Sequence, residues 1–323
     1  FYNFLKGNGV MASSTEADDG RLTARDWFAD RATHAVPYLL VIPGLIFVIG
    51  VLGYAVIGGF VLSVNETDMF LNKSFVGLRN YITVFNDPRF QASLIRTIVF
   101  VICSITLGIV MSMIFALTLY HVGFGRRFFR GMSLVPYFVS GIATAVMFRF
   151  VFTTSGGFAN FVLHKFGLPT PSWLGNPYLA FMVAVFANCW HMVPFSTLIL
   201  LGGLQTVDRD IYDAATIDGA SGTQTFFKIT LPMIKPMLGV SLIWVSYISF
   251  STFDIILAMT SGGPQRATEV VSMYMYQLAY LQLDFGQGAV LMVVLLSINT
   301  LLSLFYIYFF VLSDMRDAKE AKT

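Results

Sequence analysis

The stretch YDAATIDGASGTQTFFKITLP, Tyr212–Pro232, is polar and rich in small residues, yet it lies between two long apolar segments where a short turn would connect them. Its first half, IYDAATIDGA (Ile211–Ala220), reads as a short helix with apolar positions at Ile211, Ala214, Ala215 and Ile217. Gly219 suits its end, because glycine enters the left-handed conformation without a Cβ penalty. The second half, Thr223–Pro232, reads as another helical or turn segment, expected to stop before Pro232 because proline disfavours a helical residue before it. Small side chains at Ala214, Ala215, Gly219 and Ala220 would let a second backbone approach closely. Asp213 and Asp218 offer carboxylates that a partner arginine could take bidentately. The competing reading is an amphipathic helix lying on a membrane surface.

Working outward, the 323 residues are 56% hydrophobic and 12% charged, with a mean hydropathy of +0.72. A soluble domain carries about 25% charged residues, so lipid is the main solvent of this chain. A net charge of +2 is too small to suggest a nucleic-acid partner. Cys103 and Cys189 both fall in apolar segments and read as small buried hydrophobes. His34, His121, His164 and His191 never approach ligand spacing, so no metal site is visible.

A helix needs about 20 apolar residues to cross the hydrocarbon core. Six segments qualify: 37–63, 94–120, 132–152, 178–203, 236–259 and 287–312, the third interrupted by Pro136 and Arg149. With the N-terminus inside, thirteen of the twenty Lys and Arg residues fall in inside segments and five in outside ones. That bias puts both termini and the loop 204–235 in the cytoplasm, together with GFGRRFFRG (Gly123–Gly131). Residues 1–35 form an expected cytoplasmic tail, flexible around Met11–Gly20, residues 36–315 a transmembrane domain, and 316–323 a second tail. No cleavable signal is evident, so the first span should remain as an anchor.

The pattern Asp213-Ala214-Ala215, Asp218-Gly219-Ala220, then Ile229, Leu231 and Pro232 resembles the EAA loop of binding-protein-dependent ABC importer permeases, with Asp213 where the family usually has Glu. Three further segments are similar to the maltose-type, carbohydrate-uptake branch: FVGLRNYITVFNDPRF (Phe75–Phe90), CWHMVPF (Cys189–Phe195) and FDIILAMTSGGP (Phe253–Pro264). The resemblance implies an all-α membrane protein of six transmembrane helices with a cytoplasmic coupling helix, the type I importer permease fold. It implies a multi-pass location in a bacterial cytoplasmic (inner) membrane. It also implies partners: a second, related permease subunit as a heterodimer, two ATPase subunits, and an extracytoplasmic solute-binding protein. The chain holds no G-x-x-x-x-G-K-[ST] motif. No cofactor and no catalytic residue are therefore expected in it, with ATP and magnesium bound by the partner ATPase. The implied solute is an oligosaccharide, a polysaccharide fragment or a polyol phosphate.

Polar residues inside spans are costly, roughly 2.5–3.5 kcal/mol for an ionised one, and are candidates for the translocation path. Trp244, Tyr247, Ser251 and Asp254 fall on one helical face by spacing, as do Asn188 and His191. The alternatives are interhelical hydrogen bonds for Asn188 and His191, and a helix cap or a pair with Arg149 for Asp254. QRATEVVSMYMYQLAYLQLD (Gln265–Asp284) reads as a helix at the outer surface, either a docking face for the binding protein or a membrane-interface helix, with apolar positions at Val270, Met273, Tyr274, Leu278 and Leu281. An ion-coupled secondary transporter is the rival function, but repeated halves and mid-membrane helix breaks are not convincing here. An intramembrane enzyme lacks its nucleophile, base or metal-ligand set.

Overall fold

The computed structural model describes residues 24–67 and 73–312. The chain divides between Ile57 and Gly58 into two compact units. Helix α1 (Ala24–Ser63) leads to a short antiparallel hairpin, β1 (Asn65–Thr67) and β2 (Lys73–Phe75), with Glu66 opposite Ser74. Then come α2 (Arg79–Asn86), α3 (Pro88–His121), α4 (Arg126–Ser133), α5 (Val135–Phe138), α6 (Gly141–Val151), α7 (Phe158–Lys165) and α8 (Pro177–Thr206). The polar loop holds α9 (Arg209–Ile217), α10 (Gly222–Thr225), a wide π-turn (Phe226–Thr230) and α11 (Leu231–Met233). The remainder is α12 (Lys235–Ser251), α13 (Asp254–Met259), α14 (Val271–Tyr276) with a π-turn after it (Gln277–Leu281), and α15 (Phe285–Tyr306) running into Ile307–Leu312. The expected tails before Ala24 and after Leu312, with Met11–Gly20, lie outside the described residues.

In the second unit α3, α8 and α12 pack on one another, α15 packs on α12 and α14, and α6 packs on α13. Three apolar clusters hold them. One joins Phe100, Met192, Val245 and Ile256, a second Phe90, Val271, Tyr274 and Leu291, and a third Met113, Leu200, Leu204 and Ile234 at the end carrying the polar loop.

The expectation of six membrane-crossing helices is corrected by the structure. Among the described residues four helices are long and apolar enough: Val41–Ser63, Pro88–His121, Pro177–Thr206 and Phe285–Leu312. A fifth is reached only if Gly222–Met233 and Lys235–Ser251, bent by 75° at their junction, count as one span. The third expected span fails because the backbone leaves the helix at Val139 (ψ 132°), and Ser140 starts a new one by accepting from the Ala143 N–H at 3.2 Å. What remains, α6, has 11 residues, about 16 Å at 1.5 Å per residue. The fifth expected span breaks at Thr252 and Phe253, leaving α12 with 17 residues and α13 with 6.

The two breaks face each other. A Cβ on Gly141 would lie 1.7 Å from Asp254 Oδ2, so only glycine admits that carboxylate at the start of α6. A negative group there is favourable beside the unpaired N–H groups of a helix N-terminus.

Candidate functional site: the polar hairpin and the mid-bundle polar residues

Each turn of the Asp208–Met233 hairpin is closed by local hydrogen bonds, from side chains or backbone. Asp208 caps α9 by accepting from the Asp210 N–H at 3.2 Å. At the other end Gly219 takes φ +75°; its N–H donates to the Thr216 carbonyl (3.1 Å), and the Ala220 N–H donates to that of Ala215 (2.9 Å). That pair of bonds is a Schellman ending, as the glycine led one to expect. Ser221 then opens the second arm with a capping box: Ser221 Oγ accepts from the Gln224 N–H (3.3 Å), and Gln224 Oε1 accepts from the Ser221 N–H (2.8 Å).

This arm does not stop before Pro232, as the sequence suggested, but continues to Met233. The reason is the π-turn, in which the Leu231 N–H donates five residues back to the Phe226 carbonyl. Pro232 then sits in the first turn of the next helical piece, where its missing N–H costs little.

The inner side of the hairpin is fastened to the bundle. Tyr212, Phe226 and Leu231 pack on the cluster around Leu204 and Ile234, and Thr230 Oγ1 donates to Tyr212 Oη at 3.3 Å, tying the two arms together. Ala215 is buried, while Ala220 and Ile229 are half-buried. The outer side is left open: Asp213, Ala214, Asp218, Gly219 and Pro232 are exposed, and Ile217 is 85% exposed. Covering Ile217 with a partner is worth about 1.5–3 kcal/mol. The hairpin is thus fastened to the bundle by Tyr212, Phe226 and Leu231 and presents an acidic, small-residue face with Ile217 exposed on it.

The mid-bundle residues separate into different surroundings. Asn188 is fully buried and joins three helices: its Nδ2 donates to Ser104 Oγ (3.3 Å) and Ser249 Oγ (3.2 Å), and its Oδ1 accepts from Thr252 Oγ1 (2.7 Å). Of the two readings of this residue, the structure displays the interhelical one. The ring of His191 stacks on Tyr137, with centroids 6.3 Å apart, and its Nδ1 is buried without a hydrogen bond. Trp244 joins the same aromatic group through Phe195, centroids 4.4 Å apart, and its Nε1 is likewise unpartnered.

Tyr247 and Ser251 line a cavity of about 530 Å³ between α12 and α15, with Ser272, Asn299, Thr300 and Ser303 across from them. Asp254 does not share their face, a correction to the expected Trp244–Asp254 stripe, because the break at Thr252 and Phe253 re-aims the chain. Arg149 is exposed near the far end of α6 from Gly141, so the alternative pair with Asp254 is not made.

One constellation was missed in the sequence. Arg89, at the start of α3, donates to Glu269 from Nε (2.9 Å to Oε1) and from an Nη (2.6 Å to Oε2), and also to Gln277. The Glu269 side chain is 2% exposed and that of Arg89 21%. The guanidinium lies 4.5 Å from the Tyr274 ring centre, and Tyr274 Oη donates to Asp87. Burial, reinforced by that bond, pushes the Tyr274 hydroxyl above its ordinary range. This network draws α14 inward: Val270, Met273, Tyr274 and Leu278 are 1–4% exposed, while Tyr280 and Leu281 beyond it remain outside at 67% each. The segment expected as a surface helix is therefore packed into the bundle. The available signal was Thr268-Glu269 after Gly262-Gly263-Pro264, an acid with no basic neighbour on its C-terminal side.

Taken together, these features define a polytopic helical membrane protein with a polar helical hairpin at one end of its bundle. Residues 104–317 match the family described as binding-protein-dependent transport system inner membrane component, and the chain belongs to that family. It is a transmembrane permease of the ABC transporter class. Among relatives, it is 38% identical over 253 residues to the trehalose/maltose transport system permease protein MalF of Thermococcus litoralis, covering 78% of this chain and 85% of that one. It is 33% identical over 268 residues to the sn-glycerol-3-phosphate transport system permease protein UgpA of Escherichia coli, covering 81% and 89%. A chain in the crystal structure of a bacterial ABC transporter involved in the import of the acidic polysaccharide alginate shares its fold, with a TM-score of 0.73 at 21% identity, over 90% of this chain and 98% of that chain.

Proposed function

We propose that this chain is the membrane-spanning half of an ATP-driven importer of the maltose type, which carries a carbohydrate handed over by a solute-binding protein. The observation that carries the reading is the hairpin. A polar lever, fixed to the bundle by Tyr212, Phe226 and Leu231, leaves Asp213, Ala214, Ile217, Asp218 and Gly219 bare for a partner. That partner is an ATPase subunit, which binds the ATP and magnesium this chain does not hold. Two such subunits serve two permease chains, this one and a related second chain. Only contacts that differ between two conformations can couple ATP to the path, and the hairpin is where those contacts form. In this reading residues 36–315 are the membrane domain, and the termini and the loop 204–235 are cytoplasmic.

The groove lined by Tyr247, Ser251, Asn299, Thr300 and Ser303 is the proposed path. Its hydroxyl and amide groups suit the exchange of water hydrogen bonds on a sugar, and the Tyr247 ring offers a stacking face. Among its lining residues there is no Lys or Arg. That supports a neutral carbohydrate over a polyol phosphate, although a relative is named for glycerol phosphate transport.

The test is Gly219→Pro. Proline cannot adopt φ +75° and has no N–H for the Thr216 carbonyl. The variant should insert in the membrane but lose both ATPase copurification and ATP-dependent uptake. Normal copurification and uptake would overturn the docking role.

A further inference from the structure

Helix α4 (Arg126–Ser133) plays no part in the function proposed above. Four residues separate it from the end of α3 at His121. Since Leu117, Tyr120 and His121 border the cavity beside the hairpin, α4 lies at the same end of the bundle. Placed on a helical wheel at 100° per residue, Arg126, Arg127 and Arg130 occupy one arc of about 100°. Phe128, Phe129 and Met132 occupy another of about the same width, diametrically opposite. Among the described residues nothing covers the apolar arc fully: Phe128 is 65% exposed, Phe129 49% and Met132 55%, and Phe124 just before the helix is 97% exposed. The basic arc has no carboxylate nearby in the chain, which holds neither Asp nor Glu between Asp87 and Asp208. Arg130 is half-buried, and its Nε makes no hydrogen bond within the chain.

We infer that α4 is an interfacial anchor for anionic phospholipid. It lies in the plane of the membrane surface, with Phe124, Phe128, Phe129 and Met132 in the acyl boundary and Arg127 and Arg130 against headgroup phosphates. An amphipathic helix with aromatic residues on one side and arginines on the other binds in this way. A span ending five positions before it, at His121, places it at the required depth. Charge complementarity selects the occupant, because Arg127 and Arg130, which form no ion pair among the described residues, attract an anionic surface more than a zwitterionic one. Each is worth about a fivefold gain in affinity (about 1 kcal/mol).

The test uses the full-length chain, reconstituted without partners, so it is independent of the transport reading. Phe128→Trp supplies a reporter at α4, read after subtraction of the signal of the parent, which has four tryptophans. Quenching is compared in vesicles carrying brominated phosphatidylglycerol or brominated phosphatidylcholine. Strong quenching by the anionic lipid in preference to the zwitterionic one is the expected result. Adding Arg127→Gln and Arg130→Gln should cut that preference by about thirtyfold, whereas Arg127→Lys with Arg130→Lys should keep most of it. Equal quenching by the two lipids overturns the inference. So does an absence of quenching by either, which would leave a protein partner or water as the occupant of this face.

Discussion

Replacing Arg89 by methionine tests the buried ion pair most directly. The substitution removes two charge-assisted hydrogen bonds to Glu269, at 2.9 and 2.6 Å, and the cation above Tyr274 at 4.5 Å. It leaves a carboxylate that is 2% exposed, with Ser93 Oγ at 3.4 Å its remaining side-chain donor. Breaking a buried pair from one side costs about 3–5 kcal/mol, because the surviving charge is uncompensated. At about 2–4 °C per kcal/mol for a chain of this size class, the melting temperature should fall by roughly 6–20 °C. The assay is thermal unfolding of the purified chain in detergent, followed by intrinsic fluorescence. Because both charges are removed together, Arg89→Met with Glu269→Met should recover most of the loss, as buried pairs replaced by apolar groups of similar volume are often neutral or better. The cycle formed by the two singles and the double isolates the coupling. A fall of less than about 2 °C in Arg89→Met, or a double variant no more stable than that single, would refute the claim that the pair clamps α14 to α3.

Two further outcomes follow from the bundle interior. Asn188→Leu strips the shared partner from Ser104, Ser249 and Thr252; it should lower stability by about 1–2 kcal/mol, measured by the same unfolding assay, with the hairpin's partner still copurifying. Tyr247→Ala should raise the half-saturation concentration for solute uptake several-fold, by removing a contact worth about 0.5–1.5 kcal/mol, while ATPase copurification stays at the parent level. Unchanged uptake kinetics would count against the α12–α15 groove as the path.

Much of the hairpin was legible because its determinants are local. Gly219 is legible as the end of α9 because its effect is on backbone groups within a few residues; the caps at Asp208 and Ser221/Gln224 are as local, but it was the structure that displayed them. The π-turn before Pro232 was not legible, because widening a helix by one residue is a compromise with the packing of Phe226 and Leu231 on the bundle. In the site region, Tyr247 and Ser251 do share a face, as their spacing indicated. Asp254, three residues further along, leaves it, because Thr252 turns its hydroxyl to Asn188 and its carbonyl to Ser272.

From sequence alone came the lipid environment, the helical class, the positions of four long apolar helices and the polar hairpin, all of which depend on sums over neighbouring residues. Tertiary structure alone decided that the third and fifth apolar segments break, that Gly141 and Asp254 meet at those breaks, and that Arg89 finds Glu269 across 180 positions of chain. Hydropathy measures whether a segment tolerates lipid, and it is blind to whether a helix can interrupt itself. An interruption is stable when the backbone groups it exposes find partners. Some partners are local, as with Ser140; others come from other elements, as with Ser272 donating to the Thr252 carbonyl, and these become neighbours only once the bundle has assembled.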